Sequence, residues 1–149
     1  MWRSYLDSTR LLLQALDRQL ACDAGLSLTD FEILVVLSEA PGGRLRMREL
    51  ADAMTTTRGG VTRAVSRLVA AGWVRRVECE DDKRGTLAEL TDEGTAKLAD
   101  AAPGHVTAVR ENVFDLLSRN DVDRFGRLYA NICNHLRESS GRWTAHDDA

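Results

Sequence analysis

Residues 44–91 read RLRMRELADAMTTTRGGVTRAVSRLVAAGWVRRVECEDDKRGTLAELT, and the fold turns on how that run divides. Its first segment, Met47 to Met54, places Leu50, Ala51 and Met54 at helical spacing. Thr55, Thr56 and Thr57 follow, residues that disfavour a helix interior and favour an N-cap. A second helix then buries Val61, Val65, Leu68 and Val69 at i, i+4, i+7 and i+8 and stops at Gly72. Its opposite face carries Arg58, Thr62, Arg63, Ser66 and Arg67. Beyond it, Trp73 to Cys79 alternates as a strand, Glu80 to Gly85 turns, and Thr86 to Leu90 returns as a hairpin partner. A short turn between two short helices, the second with a cationic, hydroxyl-bearing outer face, is what reading the major groove of DNA requires.

Charge points the same way. The chain of 149 residues has net charge −3, which argues against a general polyanion binder. Residues 41–84 nevertheless hold ten Lys and Arg against six Asp and Glu, while the remainder holds ten against seventeen. A basic segment inside an acidic chain is a nucleic-acid footprint confined to one face.

The flanks are helical. Trp2, Tyr5, Leu6, Thr9, Leu12, Leu13, Leu16 and Leu20 form an amphipathic stripe that Asp23, Gly25 and Ser27 break. Thr29-Asp30-Phe31-Glu32 has capping-box form and opens a short helix through Phe31, Leu34, Val35 and Leu37, ended by Ala40-Pro41-Gly42-Gly43. Thr91-Asp92-Glu93 caps a long helix expected to reach Leu117, with a kink at Pro103-Gly104. Ser118 and Asp121 form a further capping box. The last helix aligns Val122, Phe125, Leu128, Tyr129, Ile132 and Leu136, and a polar tail follows Ser139.

The fold expected is therefore mainly α, α+β in detail: a winged helix-turn-helix over 29–91 between helical arms. Residues 1–28 give an N-terminal dimerisation helix, 92–138 the C-terminal dimerisation helices, and 139–149 the tail. A central unit of about fifty residues offers too little apolar surface to cover three stripes, so a second copy of the chain is the expected partner.

Several function classes are excluded or weakened. No run approaches the roughly 18 apolar residues of a membrane span, and Arg3, Asp7 and Arg10 interrupt the N-terminal pattern, so no signal peptide is read. Cys22, Cys79 and Cys133 lie far apart without a CxxC, the usage of a reducing cytosol, and a cytoplasmic location is expected. His105, His135 and His146 lack metal-ligand spacing, so neither a metal nor a cofactor is expected. There is no nucleophile elbow, phosphate loop or paired-carboxylate cleft, so the chain does not read as an enzyme. Two alternatives stay open: a winged helix used as an interaction or architectural module, and a DNA-binding regulator that senses oxidants through Cys22.

VTRAVSRLVAAGWV followed by DDKRGTLAELTDEG resembles the MarR family of winged-helix transcription regulators, over roughly residues 1–138. The second piece carries most of the resemblance: Asp82 and Arg84 in the wing, then Leu90, Thr91 and Gly94 into an acidic helix start. The resemblance implies a homodimer that reads a pseudo-palindromic operator in double-stranded DNA, represses transcription, and is released by a small, often phenolic, effector. By position it implies a recognition helix capped by Thr57, with Arg58, Gly59, Gly60, Thr62 and Arg63 facing the major groove. Arg67 would meet a phosphate, Lys83 and Arg84 would enter the minor groove, and Asp82 would brace the wing. The family often has serine where this chain has Gly59, so either the backbone approaches DNA closely there or base reading shifts to Arg58 and Arg63. An effector is expected where the first helix, the Phe31 helix and the long helix meet, at Tyr5, Thr9, Phe31 and His105.

Overall fold

The structure, a computed structural model, describes residues 1–54, 57–78 and 86–143, with side chains through Ser139. The chain forms two compact units, Met1–Ala108 and Val109–Ala149.

In the first unit α1 spans Trp2–Ala24 and ends at Gly25, whose φ of 63° is the left-handed value glycine adopts without penalty. Its first half is largely solvent-facing. Leu16, Leu20 and Ala24 enter the core. The second helix, α2 (Leu28–Glu39), starts earlier than its Thr29–Glu32 pattern suggests, because Ser27 and Asp30 make the capping box instead. Ser27 Oγ accepts the Asp30 amide at 3.1 Å and Asp30 Oδ2 accepts the Ser27 amide at 3.3 Å. Starting there also lets Asp17 Oδ1 on α1 accept the Leu28 amide at 2.8 Å, which satisfies a further donor at the helix start.

A 3-10 turn at Pro41–Gly43 leads into β1 (Arg44–Arg46), a strand that the sequence reading did not anticipate. Three residues are too few to show alternation, and only pairing with a distant partner reveals the strand. It joins α3 (Met47–Ala53), and α4 (Arg58–Ala70) follows. The hairpin is β2 (Val74–Glu78) and β3 (Thr86–Leu90), antiparallel from Val74 opposite Leu90 to Glu78 opposite Thr86. With Leu45 opposite Ala88, β1 pairs on the other edge of β3, giving the order β1-β3-β2. Val61, Ala64, Val65 and Leu68 of α4 share one core with Ile33, Leu34 and Leu37 of α2, Leu50 of α3, and Val74 and Ala88 of the sheet.

The hairpin meets α5 (Asp92–Asn112) through a tight joint. The Trp73 carbonyl accepts the Thr91 amide at 3.1 Å, the Thr91 hydroxyl donates to the Gly72 carbonyl at 2.8 Å, and the same oxygen accepts the Gly94 amide at 3.0 Å. Gly94 lies so near the Trp73 carbonyl that a Cβ there would overlap it. This packing explains the Leu-Thr-x-x-Gly run physically. The helix stays helical through Pro103 and ends at Asn112 rather than Leu117. A 3-10 turn, Phe114–Leu116, replaces the expected last turn after Val113 leaves helical angles.

The second unit holds the end of α5, that 3-10 turn and α6 (Arg119–Trp143). Ser118 and Asp121 form the expected box, each amide reaching the other's side chain at 3.3 Å. Helix α6 continues past Ser139, four residues into the segment read as tail. Phe125, Leu128, Tyr129, Ile132 and Leu136 line one face of it and are all exposed.

Candidate nucleic-acid interface

Helix α4 begins where a DNA reader would need it to. Thr57 Oγ1 accepts the Gly60 amide at 3.2 Å, fixing the start of the helix one residue before Arg58. With no acidic residue in the first turn, the positive end of the helix dipole is left for an external anion. Gly59 is not demanded by packing. A Cβ there would meet nothing closer than an Arg63 nitrogen at 3.8 Å.

The outward face carries Arg58, Thr62, Arg63, Ser66 and Arg67, all exposed, above a buried Val61–Val65–Leu68 stripe. Burial of that stripe fixes the rotation of the helix, so the cationic face points outward by necessity. Among the described residues, neither Arg58 nor Arg63 has an acidic partner within ion-pairing distance. The hydroxyls are tied down instead: Thr62 Oγ1 donates to the Arg58 carbonyl at 3.0 Å and Ser66 Oγ to the Thr62 carbonyl at 2.9 Å. Their lone pairs remain acceptors, so base reading by donation rests on the arginines and the backbone.

Arg67 is held differently. Its Nη2 lies 2.7 Å from Asp30 Oδ1, an ion pair joining α4 to the first turn of α2. Two neighbouring strand residues were not singled out in the sequence. Arg76 Nη2 donates to Ser66 Oγ at 2.9 Å, which places a further cation beside α4. It lies two residues beyond the buried Val74, so strand alternation sets it on the face that meets α4, and that spacing was the available signal. Arg75 points the other way and pairs with Glu89 across the hairpin. Asp82, Lys83 and Arg84, like Thr55, Thr56 and Cys79, lie outside the described residues.

The four residues named for an effector divide into two pairs. Phe31 is buried, and its ring centroid lies 4.5 Å from that of His105. His105 Nδ1 is buried without a hydrogen-bond partner, and burial pushes its pKa below the ordinary 6.5. Burial likewise raises the Glu32 carboxyl, the residue after Phe31. Gly104, next to His105, faces Gln19 and Asp23 of α1, and Gln19 Oε1 is the other buried polar atom without a partner among the described residues. Tyr5 and Thr9 lie farther back along α1. At 1.5 Å per residue Thr9 is about 15 Å from Gln19. The Thr9 hydroxyl is spent on the Tyr5 carbonyl at 2.9 Å.

Cys22 and Cys133 are exposed free thiols. No group of three or more metal-ligating side chains occurs among the described residues. Nor is any described helix long and apolar enough to cross a membrane.

Comparison with known proteins places this geometry among related chains. Residues 24–85 match the family model described as the MarR family. The HTH-type transcriptional repressor YetL of Bacillus subtilis is 35% identical over 115 residues, which is 75% of this chain and 66% of that protein. A Streptomyces coelicolor MarR family transcriptional regulator, solved in complex with DNA, superposes with a TM-score of 0.87 at 47% identity, covering 91% of this chain and 84% of its own. AbsC, a second regulator of the same family from that organism, gives a TM-score of 0.86 at 39% identity, with 92% of each chain covered.

Proposed function

This chain belongs to the MarR family of transcriptional regulators, and on that footing we propose that it is a cytoplasmic repressor that reads a two-fold operator as a homodimer and leaves it on binding a small aromatic effector. The observation that carries the DNA reading is the outward face of α4. Its Thr57-capped N-terminus, with no acidic residue in the first turn, leads into Arg58 and Arg63, which have no acidic partner among the described residues, on a helix whose rotation the core fixes. Thr62 lies between them as an acceptor, Arg67 meets a phosphate, and Lys83 and Arg84 reach the minor groove. The DNA complex of the Streptomyces relative and the repressor activity in YetL's name support the same reading.

The exposed stripe on α6 and the exposed first half of α1 with Trp2, Leu11 and Leu13 support a second copy as partner. Unburied apolar residues at helical spacing over several turns are costly unless covered. The effector would occupy the neighbourhood of Phe31 and His105, where an aromatic wall and an unpaired ring nitrogen offer stacking and one hydrogen bond. Tyr5 and Thr9 would contribute from the first half of α1.

Selection from a random duplex library by the purified protein tests the proposal. The expected product is an inverted repeat with half-sites about one helical turn, roughly 10 bp, apart. The logarithm of its affinity should fall linearly with the logarithm of salt concentration. Recovery of no preferred sequence would overturn the reading of α4.

A further inference from the structure

We propose that Asp30 is a positioning residue for DNA recognition, acting through Arg67 to fix the register of α4 on the duplex; this rests on the reading of α4 above. Asp30 is 8% exposed, and its two carboxylate oxygens have separate duties. One accepts the Ser27 amide and closes the capping box of α2, while the other holds Arg67 Nη2 at 2.7 Å. The cap alone does not need a charge, since any side-chain acceptor of the right reach closes it. The negative charge at this buried position is answered by Arg67, 37 residues away in sequence.

Arg67 lies one turn beyond Arg63 on the outward face, and its side chain is 56% exposed. A guanidinium has five N–H donors in a plane, so one held at Nη2 still presents others to solvent. A cation anchored in this way can meet a phosphate at one place only. A free arginine side chain would follow phosphates wherever the helix settled. Phosphate contacts set register without carrying sequence, so anchoring one sharpens the base reading done by its neighbours. The next residue along α2, Phe31, packs on His105, so the turn that holds Arg67 is itself braced by α5.

Asp30→Asn keeps an acceptor for the Ser27 amide and removes the charge. Binding is measured to the duplex that the wild-type protein selects and to a scrambled duplex of equal composition. The preference for the selected duplex should fall about tenfold, with scrambled-duplex affinity unchanged or raised. In an Arg67→Gln background the same change should alter preference no further. A preference kept within about twofold, a parallel fall in both affinities, or an equal loss in the Arg67→Gln background overturns the inference. Should the Asn variant fail to fold, Arg67→Gln is read through the preference alone: the lost phosphate contact lowers affinity for both duplexes, the selected one should fall further, and an unchanged ratio between the two is equally fatal. A wild-type protein that selects no duplex sinks the reading of α4 itself, whereas one that selects a duplex while Asp30→Asn keeps its preference sinks this inference alone.

Discussion

An alanine at position 94 would press its Cβ into the Trp73 carbonyl, which already accepts the Thr91 amide, and would come within 2.8 Å of Leu90 Cδ1. Backbone on one side and a core-lining leucine on the other cannot both yield. Gly94→Ala should therefore cost at least about 1–3 kcal/mol, read as a lower urea midpoint at unchanged slope. His105 makes a second residue-scale prediction. In the unfolded chain its imidazole protonates near 6.5, whereas burial lowers that value in the folded state. The unfolded state thus binds more protons between the two values, so stability is full above 6.5 and declines as pH falls through it. Glu32, raised by burial, acts in the opposite sense because its ionised form is the disfavoured one. Comparing His105→Gln with the wild type isolates the histidine. The variant's melting temperature should fall less between pH 7.5 and 5.5, and equal falls would show that His105 is not desolvated.

Elements with a repeating pattern of their own were legible in the sequence, and those defined by distant partners were not. The outward and inward faces of α4 follow from Val61, Val65 and Leu68, and β3 from its Thr86–Leu90 run, because amphipathic spacing is written locally. The strand β1 was missed because only its pairing with β3 makes it a strand. The α2 cap was placed two residues late because Ser27 and Thr29 both precede a suitable acid, and Asp17 on α1, outside the local window, favours the earlier start. The Asp30–Arg67 pair was invisible for the same reason: the spacing sets Arg67 on the outward face as a phosphate contact, and its partner lies 37 residues away in sequence. Phe31 and His105 do meet, yet a helix wheel could not show that Tyr5 and Thr9 sit several turns from that meeting point. At the element scale the start of α4 is open to test. Space around Gly59 is free, so Gly59→Ala should stabilise the fold by about 0.5–1 kcal/mol. If the backbone approaches DNA there, the same variant should bind its selected duplex more weakly while melting higher. Equal or tighter binding would place base reading on Arg58 and Arg63 instead.

For the whole molecule, a chain of net charge −3 must concentrate basic charge on one segment to bind a polyanion, and residues 41–84 hold ten of the twenty Lys and Arg against six of the twenty-three Asp and Glu. The rest of the charge is acidic and discourages other docking poses. Two copies would bring two such faces to one duplex and cover the apolar residues that α6 leaves exposed. Sedimentation at micromolar concentration should then report about twice the chain mass of 16.5 kDa. A monomer that still recognised its selected duplex would refute the two-fold account. The most direct test concerns Arg63, which like Arg58 has no acidic partner among the described residues and lies two residues past Val61 on α4. Competition between the selected and scrambled duplexes should show Arg63→Ala losing about 1–3 kcal/mol per half-site together with most of its preference. Unchanged affinity and unchanged preference in that variant would mean that α4 is not the element that reads DNA.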